Sequence, residues 1–236
     1  MPATARRFTL AAIVYWCAFP GLCDAQSEGL VAKPEVAAGD RWVYRRMDHW
    51  TNAAVETYEL RVTFAQKDVI HSTILVKDRS PQAASLLGRR TTSDPQPGES
   101  QTDATWTSEW NAISTHDGAI FKSNSGLFKF PLKVGGTYRA DYELRRPREG
   151  AMHVAHERTA KVEGWEDIVV PAGRFRALKI EVNGSFQRLD VSVAGTARSV
   201  YWYVPEVKRW VKATYEDYSP RPFNKYGEEL VEFEVR

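Results

Sequence analysis

Strict alternation of apolar and polar residues, with no helical repeat beside it, most constrains what this chain can fold into. Tyr58, Leu60, Val62 and Phe64 alternate with Glu59, Arg61 and Thr63. Tyr138, Ala140, Tyr142 and Leu144 alternate with Thr137, Arg139, Asp141 and Glu143, and near the end Val231, Phe233 and Val235 alternate with Glu232 and Glu234. Successive strand side chains point to opposite faces, so each pattern describes a strand with one dry and one wet face. One-sided burial is a property of antiparallel sheet, because parallel sheets are covered on both sides.

Further segments fit the same plan: residues 41–47, 69–76, 104–113, 119–123, 152–162, 175–186, 191–204 and 209–215 read as strands. Lys67-Asp68, Asp117-Gly118, Ser125-Gly126, Gly135-Gly136 and Pro171-Ala172-Gly173 punctuate them as turns, and Asn183-Gly184 reads as a turn, bulge or bend. No segment carries caps and a sustained 3.6 period; Pro81 to Leu87 could hold one short helical turn. Thr91 to Asp103 is polar, holds two prolines and a glycine, and is expected to be a mobile surface loop inserted in the domain. Several strands exceed the usual ~5–6 residues. The expectation is an all-β fold: a single strongly curled antiparallel sheet, half-barrel or open barrel, of about ten strands with little helix.

The N-terminus is a separate matter. Arg6 and Arg7 precede an apolar run from Phe8 to Phe19, Pro20-Gly21 breaks it, and Cys23-Asp24-Ala25 presents small residues at the outer positions of a cleavage site. This is the pattern of a secretory signal peptide, with cleavage expected after Ala25 and Gln26 as the first mature residue. The run is shorter than the ~20 residues of a membrane span, so no transmembrane span is expected after cleavage. Leu22 stands where an acylated cysteine requires a small neighbour, which disfavours lipidation of Cys23. Both cysteines, Cys17 and Cys23, leave with the leader, so the mature chain has no thiol chemistry and must hold together by packing. The expected location is periplasmic or secreted.

Lys+Arg 32 against Asp+Glu 30, with signs interspersed, argues against a nucleic-acid partner or a polybasic membrane patch. A chain of this length can bury roughly 70% of its unfolded surface in one core. The domain reading is therefore a leader over residues 1–25, a lead-in segment over 26–39 and a single β domain over 40–236.

Four motifs stand out in order: Gly39-Asp40-Arg41-Trp42-Val43-Tyr44, then Phe130-Pro131-Leu132-Lys133-Val134-Gly135-Gly136-Thr137-Tyr138, then Val170-Pro171-Ala172-Gly173-Arg174-Phe175-Arg176-Ala177, then Tyr201 to Lys212 (YWYVPEVKRWVK). Together they resemble a bacterial periplasmic family known only as a domain of unknown function. That family is similar in turn to the LolA/LolB-type lipoprotein-carrier half-barrels. The resemblance implies a carrier-like fold and brings no catalytic residues. Each motif also has a local reading: proline fixes φ and lacks a ladder donor, glycine permits a left-handed turn, and so Val-Pro-Ala-Gly is a tight corner between strands.

Candidates for chemistry are few. His153 and His156 fall on opposite faces of a strand, so they do not share a metal, and no metal or cofactor is expected. Gly184-Ser185 and Gly98-Glu99-Ser100 lack the second glycine of a nucleophile elbow, and Val134-Gly135-Gly136-Thr137 lacks the lysine of a phosphate loop. Nothing selects a glycosidase pair among the carboxylates, and no catalytic residue is assigned. The aromatic residues are the remaining signal. Core packing explains most of them; Trp106, Trp110 and Trp202 are the candidates for ligand contact. The functional expectation is a non-enzymatic binding or carrier module for a lipid, another apolar ligand or an envelope protein. A cell-envelope hydrolase and a structural or assembly subunit are the alternatives.

Overall fold

The computed structural model describes residues 29–80, 100–147, 152–220 and 222–236. Residues 1–25, where a leader is expected, residues 81–87 and residues 91–99 of the expected loop lie outside the described residues. Twelve strands are seen: β1 (Arg41–Asp48), β2 (Ala53–Ala65), β3 (Val69–Arg79), β4 (Ser100–Thr107), β5 (Ala112–Ser114), β6 (Ile120–Phe121), β7 (Thr137–Arg146), β8 (Met152–Val170), β9 (Gly173–Arg188), β10 (Val193–Val204), β11 (Arg209–Tyr218) and β12 (Pro222–Glu234). A single 3₁₀ turn, Pro205–Val207, is the one helical element among them. No described helix is long and apolar enough to cross a membrane.

Every strand pairs antiparallel with its neighbours in sequence, and β1 pairs with β12 from Arg41↔Glu234 to Asp48↔Tyr226. The strongly curled antiparallel sheet read from the sequence is the fold, and its curl runs to closure as a barrel. Closure satisfies the backbone donors and acceptors that edge strands would leave open. Interior positions follow the alternation: Trp42, Tyr44, Tyr58, Leu60, Val62, Ile70, Ile74, Leu178, Ile180 and Val182 are buried in one core.

Departures from alternation have local causes. β12 carries an irregularity opposite Val43/Tyr44, so Leu230 faces Tyr44, Glu232 faces Val43, and Val231 drops out of register to the surface. Residues 104–113 are two strands. Between them Trp110 has φ 64 and its N–H donates to Thr107 O, a left-handed residue closing a tight turn. The expected loop ends earlier than Asp103, because Ser100 to Asp103 already pair with Val76 to Thr73.

One end of the barrel is stoppered by its own chain. Val31 bridges Leu132, and Val31 and Val36 pack on the core, so the described part of the lead-in, residues 29–39, lies against the barrel. Asp40, with no exposed surface, accepts N–H bonds from Ala37 (2.9 Å) and Arg236 (3.0 Å) and pairs with Lys208 Nζ at 3.3 Å. One carboxylate thus ties the lead-in, the last described residue and the β10–β11 turn. The Val-Pro-Ala-Gly corner is the β8–β9 hairpin, with Gly173 at φ 137. Wall strength is uneven: β8 pairs with β9 over most of its length, whereas β5 and β6 meet at one residue pair, Ser114↔Ile120.

Candidate functional site

The barrel holds a cavity of about 330 Å³ that is partly open to solvent. It runs from Arg209, Trp106 and Trp110, near the stoppered end, to Asp217, Asn224 and Arg146 toward the other end. Its wall is aromatic and charged together: Tyr58, Tyr142, Tyr201, Tyr215, Tyr226, Phe128 and Trp210 alternate with Arg46, Arg158 and Glu228. Leu60 and Ile74 supply the aliphatic part.

The floor is organised by two of the sequence motifs, which the β1–β12 closure and the β10–β11 turn bring together. After Pro205, Lys208 takes a left-handed conformation (φ 60) and turns the chain back into β11. Three aromatic donors grip that turn: Trp42 Nε1 to Val207 O (2.9 Å), Trp110 Nε1 to Lys208 O (2.8 Å) and Tyr44 OH to Trp210 O (2.6 Å). Between them lies Arg209, 2% exposed. Its Cζ sits 3.8 Å from the Trp210 ring centre and 4.1 Å from that of Trp110, with Trp106 at 5.1 Å and Tyr44 and Trp42 near 6 Å. Such cation–π contacts strengthen on desolvation.

Higher in the wall, the buried Glu228 accepts from Tyr58 OH (2.6 Å), Trp210 Nε1 (2.6 Å) and Tyr215 OH (3.3 Å). Burial, followed by the Glu228 charge, pushes the Tyr58 and Tyr215 phenols well above their ordinary value, so both stay donors. Arg46 pairs with Glu56, which Arg79 also reaches at 3.1 Å, and its guanidinium lies over the Tyr58 and Tyr226 rings. Arg158 donates to Val182 O and Ser199 Oγ at 3.1 and 3.2 Å. Desolvation raises the Asp217 carboxyl against the opposing pull of Asn224 and Arg158.

No family model matches this chain, and no curated protein matches it. Two solved structures do. A protein of Parabacteroides distasonis, described as a putative lipoprotein, superposes with a TM-score of 0.55 at 12% identity, over 87% of this chain and 100% of that one. A putative exported protein of Bacteroides fragilis with YmcC-like fold gives 0.51 at 11% identity, again over 87% and 100%. This chain shares that fold. At such identities the likeness is one of architecture; the family named by the motifs gains no support from it.

Of the three tryptophans singled out by sequence, the structure brings two together. Trp106 and Trp110 both line the cavity, ring centres 5.9 Å apart, although Trp110 reaches it from a turn and not from a strand. Trp202 is on the outer surface, where Nε1 donates to Glu166 and the ring lies beside Lys179 and Lys212. It faces away because its neighbours Tyr201 and Tyr203 are the inward pair. Sequence reading missed Arg209 altogether. The clue available was a basic residue at the head of a run, Arg209-Trp210-Val211, in which three successive residues are buried and alternation assigns no face.

His153 and His156 do lie on opposite faces. His153 Nε2 is 3.0 Å from Glu143 Oε2, while His156 stacks on Tyr142 inside the barrel (4.6 Å). Burial, helped by Arg158, lowers His156 to about 4. The unfolded chain therefore takes up a proton on this residue between about pH 6.5 and 4 that the folded one refuses. Stability contributed at neutral pH is lost as pH falls through that window, by roughly 3 kcal/mol in all, of which about 2 kcal/mol goes between pH 7 and pH 5. Denaturant midpoints at pH 7 and pH 5 should differ accordingly, and His156→Phe should flatten the difference. An unchanged slope in the variant would assign the acid sensitivity to other groups.

Proposed function

We propose that this barrel is a non-enzymatic binding module for a small amphipathic ligand, working outside the cytoplasm. The observation that carries the reading is the cavity: about 330 Å³, at the lower end of the ~300–1,000 Å³ typical of small-molecule sites, with aromatic walls and a few fixed polar groups. The carboxylates around it are engaged by donors: Glu228 by Tyr58, Trp210 and Tyr215, Glu56 by Arg46 and Arg79, and Asp217 by Asn224. Groups held this way suit recognition better than proton transfer, which favours binding over the hydrolase alternative. Assembly by strand addition loses its basis where the sheet closes on itself. The Arg6-Arg7 and Phe8–Phe19 leader pattern supports export, in line with the exported and lipoprotein descriptions of the two similar structures.

Two measurements test it. Protein recovered from the envelope fraction of a bacterial host should begin at Gln26; recovery with Met1 intact in the cytoplasm would remove the export half. Mass spectrometry of the purified protein should find a retained amphiphile, and long-chain alcohols or acids should shift tryptophan emission, since Trp106, Trp110 and Trp210 line the cavity. No retained molecule together with unresponsive emission would end the binding half.

A further inference from the structure

The chemistry of the cavity floor deepens the binding reading, and the following rests on it. Arg209 is buried to 2% exposure, and its Nε and Nη1 have no hydrogen-bond partner among the described residues. Stacking does not meet this need. The Trp210 and Trp110 rings cover the guanidinium in the manner of cation–π contacts, but its N–H bonds lie in the guanidinium plane and require oxygen acceptors at the edge. No carboxylate that lines the cavity supplies one: Glu228 and Asp217 bond elsewhere, and Asp117 pairs with Arg146. A buried cation held among aromatic rings, with unmet donors beside an internal cavity, lacks a charged acceptor oxygen. A charged acceptor makes a stronger hydrogen bond there than water does.

We infer that Arg209 anchors an acidic oxygen headgroup, a carboxylate or its equivalent, and that the ligand of this barrel is an anionic amphiphile. Its apolar body then packs against Leu60, Ile74, Phe128 and Tyr201, which line the same space. The floor thereby selects by charge while the wall accepts by shape, and an alcohol or ammonium amphiphile of equal chain length binds more weakly.

The test uses purified mature protein and three probes of equal chain length: decanoate, decanol and decyltrimethylammonium. Binding is followed by calorimetry and tryptophan emission. Decanoate should bind about tenfold or more tightly than decanol, and it alone should shift the Arg209 Nε–H resonance in a ¹⁵N spectrum. Arg209→Met should abolish the preference for the acid, and Arg209→Lys should keep part of it. Should Arg209→Met fail to fold, the probe comparison and the resonance in the unaltered protein decide the matter. Equal binding of acid and alcohol, or tightest binding of the ammonium probe, would overturn the anion anchor and leave the binding module standing. Silence with all three probes would overturn both.

Discussion

Gly184→Val should destabilise the barrel by roughly 3 kcal/mol or more, at or above the upper end of overpacking costs. A Cβ at position 184 would lie 2.0 Å from Glu157 O and 2.8 Å from Arg158 Cα, both backbone atoms of β8 that cannot swing aside. The absence of a side chain also serves Arg158. Arg158 faces Gly184 across the ladder, and its guanidinium reaches Val182 O on β9 and Ser199 on β10. Even Gly184→Ala should therefore shift the denaturation midpoint and release Arg158 from Ser199. Guanidinium unfolding of both variants, followed by tryptophan emission, gives the comparison. A midpoint for Gly184→Ala equal to that of the unaltered protein would mean the two strands part at no cost.

The second large effect is expected at Asp40. Asp40→Ala leaves the Ala37 and Arg236 amides without their acceptor and takes from Lys208 its carboxylate, leaving Nζ only the Arg236 carbonyl. Removing one partner of a buried pair costs about 3–5 kcal/mol, and here two backbone donors are orphaned as well. Asp40→Asn keeps an acceptor oxygen and should recover part of the loss. Because Lys208 belongs to the turn that sets Arg209 in place, the alanine variant should also loosen the floor of the cavity. A blue-shifted tryptophan emission that survives the substitution would show that Trp42, Trp110 and Trp210 hold the floor without it.

How much of this was readable in the sequence depends on the range of the interaction involved. Strand faces are a local property, so Tyr58, Leu60 and Val62 declared themselves as inward residues by parity alone. Parity fails wherever one residue is skipped. It misplaced Val231, which grouped with Phe233 by spacing but lies outside its ladder, and it gave no face to Arg209, which follows the left-handed Lys208 and comes just before Val211, skipped in the ladder opposite Trp202 and Tyr203. Closure was beyond local reading for a different reason. Pairing Arg41 with Glu234 joins the two ends of the domain, and no short pattern carries that information. The motifs around Trp42 and Trp210 were visible as motifs; that they meet around one arginine follows only from closure and the tight turn at Lys208.

The narrow contact between β5 and β6 has a consequence for how the molecule breathes. Long ladders such as β8 with β9 must lose many bonds at once to open, whereas β5 and β6 are joined by the Ser114↔Ile120 pair and the adjoining Thr115 N–H to Ala119 O bond. Local opening follows the cheapest break, so excursions of the native state concentrate along this line. Amide protons there should exchange ahead of those in β8 to β10. The same line borders the cavity, since Ala112, Thr115, Ala119 and Phe121 all line it. The thinnest stretch of the barrel wall thus lies directly against the cavity, while the long ladders that carry the fold stand on its other sides.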